Sequence, residues 1–300
     1  MDSVTLEDTT LRDGLQSEKI ELTVEDKVSL FEMLVNAGVR RIQVGSFVHP
    51  GIVPQMADIE ELIRQVKAPP EVRLSALVLN SRGLDRELKC GMKHMNLSVS
   101  ASDTHSRKNV NRSFEKARSE MIALTKQAVS HGMAVQAGVQ CAFGCVYEGA
   151  IPEEHVLTTL QYLSEAGAGE LYLADTSGMA HPRQITRMVE QVHHHLPGET
   201  LSLHLHDTRG LGLANIIAGY EAGVRGFDVS TGGLGGCPFV KGAAGNVPTE
   251  DAVNLFARMG VDTGIRISGL CRIVEWLESR LGRTLPGRMC RVLQHGALCD

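Results

Sequence analysis

Short apolar runs alternate with longer stretches whose apolar residues recur every three or four positions, and this alternation repeats eight times between residues 4 and 259. The short runs predict buried β-strands, and the longer stretches predict amphipathic α-helices. The predicted strands cover residues 4–6, 41–44, 73–78, 95–99, 134–139, 170–174, 201–206 and 226–230. The predicted helices cover residues 23–37, 56–66, 82–89, 113–131, 152–166, 182–196, 212–222 and 249–259.

Eight strand–helix units in one chain predict an α/β fold of the (β/α)8 or TIM-barrel type. Glycines that follow several predicted helices, such as Gly38 and Gly167, support this assignment because glycine readily adopts the left-handed conformation that ends a helix. A doubly wound open sheet is the structural alternative. Such a fold typically has a Gly-x-Gly-x-x-Gly loop between an early strand and the following helix, and no such motif precedes the first predicted helix. We expect a catalytic barrel over residues 1–262. We expect a helical extension over residues 263–300, with a helix at 267–281, to pack on that barrel.

Composition narrows the class of protein. The 300 residues are 43% hydrophobic and 22% charged, which are ordinary values for a soluble globular protein and exclude a disordered or fibrous one. The net charge of −5, with both signs interspersed, predicts neither nucleic-acid nor membrane-surface binding. No apolar stretch approaches the roughly 18 residues of a membrane span. The first seven residues show no basic segment followed by an apolar one, so we do not expect export. Seven cysteines without compact spacing favour free thiols in a reduced, cytoplasmic setting.

Polar residues cluster where the predicted strands end, which is where TIM-barrel enzymes place their catalytic groups. They are Arg12, Asp13 and Gln16 after strand one, Gln43 and Ser46 at strand two, Ser102 after strand four, Asp175 after strand six, His204 and His206 on strand seven, and Cys237 and Asn246 in the glycine-rich loop after strand eight.

The pair His204 and His206 predicts a metal site. Residues two apart on a strand project to the same face, so both imidazoles can reach one ion. Asp13 follows strand one, which adjoins strand eight in a closed barrel, and Asn246 offers an amide oxygen. Two imidazoles and a carboxylate, with room for water or substrate oxygens, suit octahedral Mg²⁺ or Mn²⁺ better than tetrahedral zinc. The alternative is a pair of polar histidines stacked inside the barrel.

Two further side chains carry candidate chemistry. Arg12, beside Asp13, offers a planar fork of donors for a carbonyl oxygen that becomes an enolate, or it forms a structural ion pair with Asp8 or another interior carboxylate. Cys237, flanked by glycine, is a candidate proton donor or acceptor, or it is a small buried hydrophobic residue.

Other cysteines and histidines have simpler interpretations. The spacing of Cys141 and Cys145 lacks a matching second pair, so we expect loop packing rather than zinc. Residues 193–195 are three histidines at a predicted helix end, where cations are favourable. Cys299 is expected to be an unstructured thiol.

Taken together, the motifs resemble the metallolyase family of 3-hydroxy-3-methylglutaryl-CoA lyase, which also includes isopropylmalate, homocitrate and citramalate synthases. The resemblance runs from residue 4 to about residue 281. It is carried by Arg-Asp-Gly-Leu-Gln (12–16), Ser-Phe-Val-x-Pro (46–50), Val-Pro-Gln-Met (53–56), Tyr-Glu-Gly (147–149), His-x-His-Asp-Thr (204–208), Gly-Leu-Gly-Gly-Cys-Pro (233–238) and Gly-Asn (245–246).

This resemblance implies a retro-Claisen cleavage of an acyl-CoA, a Mg²⁺ or Mn²⁺ cofactor, a homo-oligomer with a dimer expected, and a place in leucine breakdown. The implied metal ligands are Asp13, His204, His206 and Asn246. The implied catalytic residues are Arg12 for the enolate, Cys237 for its protonation, His204 or a metal-linked water for deprotonation of the hydroxyl, and Asp175. The implied substrate-binding residues are Arg12, Gln16, Gln43, Ser46 and Ser102, with Asp175 also lining the pocket.

Two positions depart from the family pattern. Gln43 stands where the family usually has a glutamate, and Thr9-Thr10-Leu11 resembles the synthase branch. A related 3-hydroxy-3-substituted substrate is therefore an alternative to 3-hydroxy-3-methylglutaryl-CoA. A Claisen-type synthase or a 2-oxo acid aldolase is a second hypothesis, although synthases usually carry glutamate and arginine after the strand-eight glycines and a regulatory domain. A barrel that binds a metal or CoA ester without turnover is a third.

Overall fold

The computed structural model describes residues 2–236 and 245–294. Eight parallel strands pair in chain order, and the first strand pairs with the last, so the sheet closes into a barrel. The predicted (β/α)8 fold is confirmed. The sheet has no switch point of the kind that an open doubly wound fold would have, because closure pairs both of its edges.

The strands and helices alternate around this barrel. The strands are β1 (Thr5–Asp8), β2 (Arg41–Ser46), β3 (Arg73–Leu77), β4 (His94–Ser100), β5 (Ala134–Gln140), β6 (Glu170–Ala174), β7 (Leu201–His204) and β8 (Gly226–Val229). The helices are α1 (Val24–Ala37), α2 (Ile59–Gln65), α3 (Ser81–Lys89), α4 (Asp103–Val110), α5 (Phe114–Ser130), α6 (Glu153–Glu165), α7 (Pro182–His195), α8 (Gly212–Glu221), α9 (Thr249–Arg258), α10 (Ile267–Leu281) and α11 (Met289–Gln294). Among the described residues, no helix is both long and apolar enough to cross a membrane.

The structure adds elements that the hydrophobic pattern does not predict. Helix α4 is short and mostly polar, and it begins at Ser102, whose hydroxyl accepts a hydrogen bond from the His105 N–H at 3.1 Å. Strand β1 continues to Asp8, beyond the predicted residues 4–6, because both Glu7 and Asp8 are buried although charged. A short helical turn, Thr10–Gly14, then leads away from β1. Elements that contain many polar or charged residues are not recognised by the spacing of apolar residues.

The C-terminal helix α10 lies against α1. Gly269 packs so closely on Ala37 that an added Cβ would come within 2.8 Å of the Ala37 Cβ. The Arg266 N–H also donates to the Ala37 carbonyl at 2.8 Å. The buried face of α10, formed by Leu270, Ile273 and Leu277, belongs to the same hydrophobic core as the barrel helices. The domain division at residue 262 stays a prediction.

A disulfide joins α10 to α11, through Cys271 and Cys290. The expectation of free thiols throughout the chain is therefore wrong at these two positions. The two cysteines are 19 residues apart in sequence, but packing of the helices brings their Cα atoms to 5.0 Å. That distance lies within the range that a disulfide can bridge. Spacing along the chain did not reveal the pair because a tertiary contact creates it.

Reduction of this disulfide is expected to loosen the end of the chain. A crosslink that closes a loop of this size typically contributes about 3 kcal/mol. Exposed Arg288 and Arg291 flank Cys290, so trypsin should cut there about tenfold faster or more after treatment with a dithiol reductant. The Cys290→Ala variant should be cut at the same rate with and without reductant. Equal cleavage of oxidised and reduced wild-type protein would contradict a stabilising role.

Candidate metal and substrate site

The carboxyl ends of the strands bring Asp13, His204 and His206 together. Asp13 lies on the turn after β1, His204 ends β7, and His206 lies two residues beyond. One ligand atom from each residue lies within 4.8 Å of those from the other two, and all three residues are buried. This is the only such group of histidine, cysteine or carboxylate side chains in residues 2–236 and 245–294. The proposed metal ligands from the sequence thus converge.

The two imidazoles face each other. His204 Nε2 lies 3.1 Å from His206 Nε2, and His204 Nδ1 lies 3.1 Å from Asp228 Oδ2. A proton on His204 Nδ1 would bind that carboxylate and leave the Nε2 lone pair directed at His206. Two ligand atoms about 2.1 Å from one ion and at right angles around it lie about 3 Å apart. The pair therefore fits a divalent cation with octahedral geometry.

The charge states also suit metal binding. Burial and the neighbouring His204 lower the pKa of His206 to about 4, so His206 is neutral at pH 7. Burial alone would raise the pKa of Asp13, but the Arg12 guanidinium and the two histidines outweigh it and lower the pKa to about 2. A neutral imidazole and an ionised carboxylate are the forms that bind metal ions.

The sequence analysis missed Asp228, which lies on β8. Its carboxylate lies 3.1 Å from His204 Nδ1, where it would favour a proton on that nitrogen and so orient the imidazole. The sequence did contain a signal for it. Asp228 stands between Phe227 and Val229 on a predicted strand, and alternate residues of a barrel strand face the interior, so its carboxylate could have been expected there. Asp228 is 2% exposed.

Asn246 joins the group from the chain that follows the β8 loop. Its Nδ2 donates to Asp13 Oδ2 at 2.7 Å and to the Leu234 carbonyl at 3.0 Å. Its Oδ1 is buried and accepts no hydrogen bond from the described residues. Gly235 allows this approach, since its φ is 104° and an added Cβ would lie 2.4 Å from Asn246 Nδ2. Asn246 therefore presents a carbonyl oxygen that a metal or water could use.

Arg12 contacts two site residues through separate nitrogens. Its Nη1 donates to Asp13 Oδ1 at 2.5 Å, and its Nε donates to Gln43 Oε1 at 2.9 Å. Within the described part of the chain, Nη2 donates to no side chain or carbonyl, so this end of the fork is available to a substrate oxygen. The alternative of a structural ion pair is wrong for Asp8, which instead accepts from Thr231 Oγ1 and Thr249 Oγ1, each at 2.8 Å. The ion pair that Arg12 forms is with another buried carboxylate, Asp13.

The synthase-like threonines have a structural role here. Thr9 Oγ1 donates to the Val229 carbonyl at 3.0 Å, and Thr10 Oγ1 accepts from the Thr231 N–H at 2.7 Å. Both contacts tie the end of β1 to the end of β8. They hold the Arg12–Asp13 turn beside the strand-eight loop.

A bulge in β2 places Gln43 and Ser46 on one face although they are three residues apart. The pairing register with β3 shifts between Gln43 and Gly45. Gly45 lies against Ile59 of the helix layer, so the residues on either side of the bulge point inward. Gln43 and Ser46 are both buried.

The remaining predicted residues lie around this centre in different ways. Gln16 Nε2 donates to Asp13 Oδ1 at 2.6 Å. The Asp175 carboxylate accepts hydrogen bonds from the backbone N–H groups of Met179 and Ala180. Burial raises the pKa of Asp175 to about 6. Asp175 is not part of the three-residue ligand group, and Ser102 caps α4. The structure therefore brings Gln16 to Asp13, whereas Asp175 and Ser102 are hydrogen-bonded to loop and helix backbone.

Three predictions concern other cysteines and histidines. Cys237 and Cys299 lie outside the described residues. Cys141 and Cys145 are buried free thiols, in keeping with loop packing. Residues 193–195 lie in the last turn of α7, as predicted.

Comparison with known proteins identifies the family. The family model described as HMGL-like matches residues 3–277. The chain belongs to the HMGL-like family. It is 39% identical to the (R)-citramalyl-CoA lyase of Chloroflexus aurantiacus, across 95% of this chain and 93% of that protein.

Solved structures agree with the HMGL-like assignment. The Bacillus subtilis HMG-CoA lyase structure has a TM-score of 0.95 at 35% identity and covers 98% of this chain and 99% of its own. An Acinetobacter baumannii HMG-CoA lyase, solved with coenzyme A and 3-methylmalate, has a TM-score of 0.93 at 34% identity and covers 100% of this chain and 98% of its own. This HMGL-like protein is accordingly an acyl-CoA lyase with a candidate metal site at the barrel mouth.

Proposed function

We propose that the protein is a divalent-metal-dependent lyase that cleaves 3-hydroxy-3-methylglutaryl-CoA, or a closely related 3-hydroxy-3-substituted acyl-CoA, into acetyl-CoA and an oxo acid such as acetoacetate. The observation that carries the proposal is the convergence of Asp13, His204 and His206 beside the Arg12 fork. Named relatives that act on tertiary alcohol thioesters support it.

The cofactor is proposed to be Mg²⁺ or Mn²⁺. Asp13, His204 and His206 would hold it, with Asn246 Oδ1 as a further ligand or as a partner of bound water. When bound, such an ion polarises substrate oxygens and stabilises the charge left when the tertiary hydroxyl loses its proton. The mixed imidazole, carboxylate and amide donor set supports this choice.

The protein's own groups would then guide the bond cleavage. The hydroxyl proton would leave to a water beside His204, because one His204 nitrogen would hold the metal and the other faces Asp228. The oxygen then forms the carbonyl of the oxo acid while the bond between the carbinol carbon and the methylene carbon breaks, and the electron pair of that bond moves onto the thioester. Arg12 Nη2 would donate to the thioester oxygen as negative charge develops there. Cys237 would donate its S–H proton to the methylene carbon, which gives acetyl-CoA. Gln16, Gln43, Ser46, Ser102 and Asp175 would line or support the substrate pocket.

Release of acetyl-CoA tests the proposal. Metal-loaded protein should release it from 3-hydroxy-3-methylglutaryl-CoA or citramalyl-CoA, and a chelator should stop the release until Mg²⁺ or Mn²⁺ is restored. Free CoA formed from acetyl-CoA and a 2-oxo acid would instead indicate the condensing synthase. Absence of both products with every thioester and metal tested would overturn the proposed activity. The cytoplasmic location, the dimer and the role in leucine breakdown stay predictions.

A further inference from the structure

Resting on the proposed function, the geometry points to a substrate class: we infer that Gln43, whose amide is oriented by Arg12, selects an acyl-CoA whose carboxylate is attached directly to the hydroxyl-bearing carbon. Cleavage of such a substrate gives acetyl-CoA and a 2-oxo acid. The inference starts from the hydrogen bonds of Gln43, a residue with 0% of its surface exposed.

The orientation of the Gln43 amide follows from its partner. Arg12 Nε lies 2.9 Å from Gln43 Oε1, and a guanidinium can only donate hydrogen bonds. The amide oxygen must therefore face Arg12, which leaves Nε2 at the other end of the amide. Gln43 Nε2 is buried and has no hydrogen-bond partner among the described residues. A buried donor without an acceptor is costly, so binding of a ligand oxygen that accepts from it would be favoured.

The chemical type of that ligand group follows from the donor. The Nε2 group donates and cannot accept, so it recognises a carboxylate or carbonyl oxygen. An ionised glutamate at position 43 would offer only acceptors there and would repel a carboxylate. A glutamate at position 43 would therefore prefer a hydrogen-bond donor on the substrate, whereas the neutral amide of Gln43 prefers an acceptor.

The charge balance points the same way. Asp13 forms an ion pair with Arg12, with Nη1 and Oδ1 2.5 Å apart. A glutamate at position 43 would add a second negative charge beside this ion pair, whereas Gln43 adds none. A carboxylate on the hydroxyl-bearing carbon brings its charge next to the oxygen that loses its proton. A site without the extra glutamate charge therefore favours a substrate whose carboxylate is on the hydroxyl-bearing carbon over a substrate in which one methylene group separates the two.

The test compares two thioesters that differ in this methylene group. With Mn²⁺ present, wild-type protein should have a kcat/KM for citramalyl-CoA about tenfold or more above that for 3-hydroxy-3-methylglutaryl-CoA. Gln43→Glu should lower that ratio of kcat/KM values by about 10- to 100-fold, mainly because KM for citramalyl-CoA rises. Pyruvate, the 2-oxo acid product, should inhibit Gln43→Glu more weakly than wild type. Gln161→Glu makes the same change of charge on the exposed face of α6 and should leave the ratio unchanged.

The outcomes separate the two proposals. Failure to cleave either thioester would overturn the proposed function. Cleavage of both, with a wild-type preference for 3-hydroxy-3-methylglutaryl-CoA or with the same ratio in Gln43→Glu, would overturn only the role of Gln43. If Gln43→Glu does not fold, Gln43→Met keeps the size of the side chain and removes the donor. That variant should also lose the preference, and an unchanged ratio would again contradict the inference.

Discussion

Replacing His206 with alanine is expected to abolish metal-dependent turnover, with a fall in kcat of about 10³-fold or more. His206 is buried, neutral at pH 7 and 3.1 Å from His204 through their Nε2 atoms. Its removal leaves one imidazole and one carboxylate, which hold a divalent ion weakly. Titration calorimetry with Mn²⁺ should therefore show lost affinity in parallel with lost acetyl-CoA release.

Two comparison variants make the His206 result specific. His195→Ala removes an exposed imidazole at the end of α7 and should leave metal affinity and turnover unchanged. Asp228→Asn keeps all three ligands but weakens the contact that orients His204, so it should cost about 10- to 100-fold in metal affinity. Thermal unfolding checks that each variant folds. Full metal content and activity in His206→Ala would refute the ligand assignment.

Replacing Arg12 with lysine is expected to lower kcat by about 10²-fold or more while KM changes much less. Arg12 donates hydrogen bonds from Nη1 to Asp13 and from Nε to Gln43, and its Nη2 stays available to the substrate. A lysine ammonium keeps the charge, but it cannot reproduce this planar arrangement. The lost interaction would be one made mainly in the transition state, when negative charge reaches the thioester oxygen. Steady-state kinetics on the preferred thioester measures the effect.

The matched control for Arg12 is Arg183→Lys, which makes the same replacement on the exposed side of α7 and should have wild-type kinetics. A structural role for Arg12 predicts a different pattern, with a lower unfolding temperature and near-normal kcat in the folded fraction. Near wild-type kcat in Arg12→Lys would reduce Arg12 to an ion-pair partner of Asp13.

The barrel itself follows from local patterns. Eight apolar runs and eight amphipathic stretches predict the strand–helix repeat, because each element must bury one face and the period of its apolar residues reports which element it is. Helices such as α1 and α5 agree with their predicted ranges to within a residue at each end. Helix α4 escaped prediction because its residues are mostly polar, although Ser102 at its N-cap is a residue typical of helix starts.

The candidate metal ligands also follow from sequence, given the barrel. The two-residue spacing of His204 and His206 requires a common face, and closure of β1 against β8 brings Asp13 near them. The identity of these three residues could be predicted because they depend on strand order alone.

The contacts that tune the site depend on three-dimensional packing. The sequence does not indicate that Asp228 orients His204, that Arg12 pairs with Asp13 rather than Asp8, or that Cys271 reaches Cys290. Each contact joins residues from different elements or depends on a side-chain rotamer. A one-residue bulge in β2 decides which side chains of that strand face inward. In this protein, strand order and the period of apolar residues determine where the candidate metal ligands lie. Side-chain rotamers, the bulge in β2 and the packing of helices determine which residues contact them, because these depend on distances that spacing along the chain does not encode.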